Sequence, residues 1–101
     1  MEINVKQGYE SLAEAFQGAL NQAQDGKGSN RHSYGEDFKQ QKIMTIARWL
    51  EGNPAAALLY QVIKKAAETT RMEPEQAIHE LDGVINYALA AKIRMQEIRD
   101  E

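Results

Sequence analysis

The sequence contains no cysteine. Disulfide frameworks, thiol nucleophiles and cysteine-ligated zinc are therefore excluded. Two histidines leave a His-only metal site incomplete. No run approaches the roughly 20 apolar residues that a membrane span needs, and the opening stretch Met1-Glu2-Ile3-Asn4-Val5-Lys6 lacks the long apolar core of a signal peptide. The expected location is the cytoplasm, with no membrane partner. An excess of either charge is also missing: 12 Lys and Arg face 15 Asp and Glu, a net of −3. That balance argues against bulk nucleic-acid binding and against a strongly acidic mimic.

The 101 residues suffice for one domain, and a 43% apolar share is too rich for a disordered chain. Punctuation is sparse. Asn53-Pro54 follows Glu51-Gly52, and Glu73-Pro74-Glu75 repeats the device, each placing proline in the first turn of a new helix. A third break spans residues 25–36, which carry Gly26, Gly28 and Gly35 and no aliphatic side chain. Four helical segments remain, at about 8–24, 37–50, 54–72 and 75–99. In the first, Tyr9, Leu12, Phe16 and Leu20 recur at three- and four-residue steps, and Phe16 and Phe38 read as core. Ile3 and Val5 alternate with polar neighbours, a pattern that permits a short strand. The expected architecture is a small all-α four-helix bundle with a Gly/Arg-rich loop and a long final helix.

That final helix carries Ala77, Leu81, Val84, Ala88, Ala91, Met95 and Ile98 at alternating steps of four and three, a coiled-coil-like seam. Beside it run Ile78, Ile85, Leu89 and Ile93. Two apolar rows exceed what one hairpin contact buries. Either the helix is central, or the second row is a subunit interface in a homo-oligomer. Trp49, one step off its own stripe, joins Ile78, Ile85, Leu89 and Ile93 as a candidate interface residue. Gly83 within this helix disfavours it by about 1 kcal/mol relative to Ala, which suggests a packing or ligand reason.

Two groups of residues suggest chemistry. Glu68, Glu80 and Asp82 flank the turn between the last two helices, where clustered carboxylates could hold magnesium. The segment Val62-Ile63-Lys64-Lys65-Ala66-Ala67-Glu68 and, beyond the turn, Glu80-Leu81-Asp82-Gly83-Val84-Ile85-Asn86-Tyr87 resemble the MazG-type all-α nucleoside triphosphate pyrophosphohydrolases over residues 58–91. The resemblance implies a Glu-x-x-Glu pair facing a Glu-x-x-Asp pair. Glu68 and Glu80 match, whereas Lys65 and Gly83 stand where the first Glu and the last Asp belong. Mg2+ enters only if this hydrolase alternative holds; otherwise no cofactor is expected.

The second group lies in and near the loop. Lys27, Arg31, His32 and Tyr34 sit among its glycines, which let backbone amides approach an anion closely, while Arg31 can grip a phosphate with two hydrogen bonds. Tyr34 can stack on a base. Lys64, Lys65 and Arg71 form a further cationic cluster, and Tyr87 suits a pocket wall or the core. Three readings follow. One is capture of an anionic, nucleotide-like ligand without conversion, in the manner of small phage anti-defence proteins that sequester nucleotide signals, an analogy of class only. The others are a protein-interaction module acting through its helical surface, and a MazG-like pyrophosphohydrolase.

Overall fold

The computed structural model describes residues 4–26, 35–49 and 55–101. Among these residues four α-helices follow in order: α1 (Glu10–Asp25), α2 (Lys42–Trp49), α3 (Ala56–Glu68) and α4 (Pro74–Arg99). Single 3-10 turns at Phe38–Gln40 and Thr69–Arg71 lead into α2 and out of α3. The fold is an all-α bundle with a long closing helix. Among the described residues there is no strand. Val5 is irregular, and Ile3 lies outside them.

Each helix boundary has a local cause. The arm before α1 turns at Gly8, whose φ of +94° favours glycine. The Gly8 N–H then donates to Glu10 Oε2 at 2.8 Å. At the far end the Gly26 N–H closes the last turn onto the Gln22 carbonyl. A Cβ at Gly26 would meet the Gln22 backbone at 3.2 Å, a tight contact.

Expectation and structure part at α2. The helix begins at Lys42 instead of residue 37, because the 3-10 turn swings Phe38 onto the core and Gln41 is extended. The Gln41 carbonyl accepts from the Met44 and Thr45 amides, both at 3.0 Å, and so nucleates the helix. Leu50 and Pro54 lie outside the described residues. Helix α3 ends four residues early for a related reason. The Thr69 and Thr70 hydroxyls donate to the carbonyls of Ala66 and Ala67, which tightens the chain into a 3-10 turn. Glu73 is extended, and Pro74 opens α4 where its missing N–H leaves nothing unsatisfied.

The core is small and lies at one end. Ile43, Met44 and Ala47 of α2, Ala55 and Leu58 at the start of α3, and Ala90 and Ala91 of α4 form one buried cluster, with Phe38, Tyr87 and Ile93 packed against it. Helix α4 touches all three other helices and is the central element. Its neighbours lie on different sides, so the four-three seam is not buried as a unit. Ala91 is inside, whereas Leu81, Ala88 and Met95 remain exposed.

Helix α1 packs differently. It lies antiparallel to α4, with Ala19 buried against it. The Asn86 side-chain amide donates to the Ala19 carbonyl at 2.9 Å, and that of Gln22 donates to the His79 carbonyl at 3.0 Å. The Asp82 carboxylate lies 3.6 Å from where a Cβ on Gly18 would stand. No α1 residue belongs to the main core cluster. Phe16, read above as core, is 36% exposed. The correction has a geometric cause: α1 meets α4 through the edge that carries Gly18, Ala19 and the Gln22 side-chain amide, and its large apolar side chains face elsewhere.

Candidate interaction surface

Tyr9, Leu12, Phe16 and Leu20 share one face of α1, at steps of three and four residues. On an ideal helix their mean direction lies about 120° from that of the contact with α4. Tyr9 is 58% and Leu12 66% exposed. Val5, from the arm that folds beside the helix, extends the same apolar row. Together with Asn4, Lys6, Ala13 and Gln17 these side chains line a groove of about 850 Å³. Among the described residues its walls come from the arm and α1.

A second apolar surface is spread over the hairpin. On α3, Leu59, Tyr60 and Ile63 are exposed, Ile63 by 72%. On α4, Ile78 and Leu81 are exposed, while Ile85 and Leu89 are half-buried. Trp49, at the end of α2, is 74% exposed. Among the sequence-derived interface candidates, Trp49 and Ile78 are therefore open, whereas Ile93 packs on the core.

Near the core a charged cluster joins α2 to α4, with Arg94 Nε buried and unpartnered within it. Arg48 Nε and Nη2 donate to Glu97 Oε1 and Oε2 at 3.1 and 2.7 Å, tying α2 to the last turns of α4. Arg94 Nη1 also reaches Glu97 Oε1, at 3.3 Å. The hydrogen bonds from Arg48 hold the Glu97 carboxyl below its ordinary range and raise the Arg48 guanidinium above its own. The Arg48 fork is committed to Glu97. Forty-nine residues separate the two, and no local pattern announces the pair.

Lys27, Arg31, His32 and Tyr34 lie outside the described residues. Of the other ligand candidates, Lys64 and Arg71 are exposed, Lys65 is half-buried, and Tyr87 packs against the core. Glu68 is exposed on α3, and Asp82 faces Gly18 across the α1–α4 contact. Among the described residues no three His, Asp or Glu side chains gather closely enough to hold a metal ion. Gly83 is also freer than its position suggested. A Cβ there would meet only Gln22 Oε1, at an ordinary 3.6 Å. No described helix is long and apolar enough to cross a membrane.

No family model, curated protein or solved structure matches this chain.

Proposed function

We propose that this protein is a helical interaction module that works as a homo-oligomer. One observation carries the reading: among the described residues thirteen large apolar side chains are exposed, while the buried hydrophobic set numbers eight, of which five are alanine. Scattered exposed hydrophobes are ordinary, but here they recur in rows along α1 and along the α3–α4 hairpin. Total surface agrees. The chain exposes 7489 Å², against about 5,800 Å² for a typical folded monomer of its mass. Its radius of gyration is 14.4 Å, against roughly 13 Å for a compact domain of this length.

The test is the solution mass of the full chain, by light scattering or sedimentation across a concentration series. The expected result is a mass at least twice the 11.4 kDa of one chain, persisting at high salt because the contact is apolar. A mass of one chain at every concentration would falsify the reading. Capture of an anionic nucleotide by Lys27, Arg31, His32 and Tyr34 is a separate expectation of the sequence. Thermal shift against mono-, di- and cyclic nucleotides tests it directly.

A further inference from the structure

We infer that two copies of the chain pair through the apolar face of α1, with the two α1 helices antiparallel about a two-fold axis. This rests on the reading of the protein as a self-associating module and goes further by assigning the face, the orientation and the register.

Three observations select a second copy as the occupant. The first is area. Val5, Tyr9, Leu12, Phe16 and Leu20 are each between 36 and 66% exposed. With whole-residue surfaces of roughly 150 to 230 Å² for such side chains, they leave about 450 Å² of mostly apolar surface open per copy. Two such faces, with the polar rim of Asn4, Lys6 and Gln17, reach the roughly 1,200 Å² at which specific interfaces begin.

Size complementarity is the second. In an antiparallel pair centred between residues 14 and 15, Tyr9 stands opposite the partner's Leu20, and Leu12 opposite the partner's Phe16. Every aromatic ring meets a leucine, so the groove that is open beside one helix receives a side chain of matching bulk from the other. A parallel pair would set Tyr9 against the partner's Tyr9 and Phe16 against the partner's Phe16.

The third is charge. Between residues 7 and 26 the sequence has Glu10, Glu14 and Asp25 and no Lys, Arg or His. On an ideal helix Glu14 and Asp25 lie about 150° and about 175° from the centre of the apolar row, away from the contact. Antiparallel pairing sets the two Glu10 side chains about 13 Å apart along the axis, whereas a parallel pair would place them side by side.

Because the chain has no cysteine, the geometry can be read by crosslinking. Y9C and L20C are prepared separately, refolded together and oxidised. The expected product is a disulfide between unlike variants, with little from either variant alone, because like positions lie about 16 Å apart along the axis. Like-with-like disulfides, or none between unlike variants, would overturn the arrangement. In parallel, L12D is expected to halve the mass from about twice 11.4 kDa to 11.4 kDa with its helical circular dichroism unchanged, since Leu12 is exposed. I63D on α3 should leave the mass intact. If I63D halves the mass and L12D does not, self-association stands and α1 is the wrong face. A wild-type chain that is monomeric throughout removes both. Should L12D fail to fold, the cysteine pair decides alone.

Discussion

The two flanks of α4 solve the same problem in opposite ways. On one side, α2 and α3 send Ile43, Met44, Ala47, Ala55 and Leu58 into a cluster with Ala90 and Ala91, and Met44 is fully buried. On the other, α1 lies against the same helix through Gly18, Ala19 and Gln22, and keeps Leu12 and Tyr9 in the open. One flank is held mainly by apolar burial. The other is held by buried Ala19 and by two side-chain amides that donate to backbone carbonyls. Amphipathicity alone does not decide which face of a helix meets its neighbour. Small residues let backbones approach, and α1 offers them on a different edge from its large ones.

That contrast can be broken most forcefully at the core. Met44→Ala removes a fully buried side chain and should destabilise the fold by about 2–5 kcal/mol in chemical denaturation. Leu12→Ala, at dilutions where copies separate, should cost about 0.5 kcal/mol or less, as surface substitutions do. Equal effects at the two sites would erase the distinction between the flanks.

The clamp at the core end gives a smaller effect with a pH signature. Glu97 has a lowered native pKa, chiefly because Arg48 donates two hydrogen bonds to it. Its contribution is therefore complete above the unfolded carboxylate value, near 4.3, and is lost as pH falls through the lower native value. Arg48, already charged and raised further, adds no titration in the accessible range. Glu97→Gln should destabilise the chain by about 1 kcal/mol at pH 7 and flatten the acid limb of its stability curve. An unchanged acid limb would show that the pair contributes nothing. A further effect, at the α1–α4 contact, has the opposite sign. Gly83→Ala should stabilise by about 0.5–1 kcal/mol, since the added methyl meets only the end of the Gln22 side chain. A loss of stability would mean that the α1–α4 contact is tighter than 3.6 Å implies.

Much of this was legible along the chain. The proline after Glu73 marks the start of α4, Gly26 ends α1, and the three- and four-residue spacing of apolar side chains marks every helix. These are local effects, written in neighbours within one turn. The shift of the α2 start was less accessible, because it depends on Phe38 reaching a core assembled from α3 and α4. The Arg48–Glu97 pair was invisible: two charged residues on separate helices look like any solvated face until packing brings their forks together. For the candidate surface, the apolar row of α1 could be read directly, whereas its failure to enter the core could not.

By itself, then, the amino-acid order determined that the chain is helical, where its proline- and glycine-marked breaks fall, and which residues form apolar rows, because propensity and periodicity act over a few residues. Only tertiary structure decided which rows are covered. A helix with large residues on one side and small ones on another can dock by either, and the choice falls to the shape and hydrogen-bonding groups of what lies across from it. For α1 that was the backbone edge of α4, which left its large side chains facing outward.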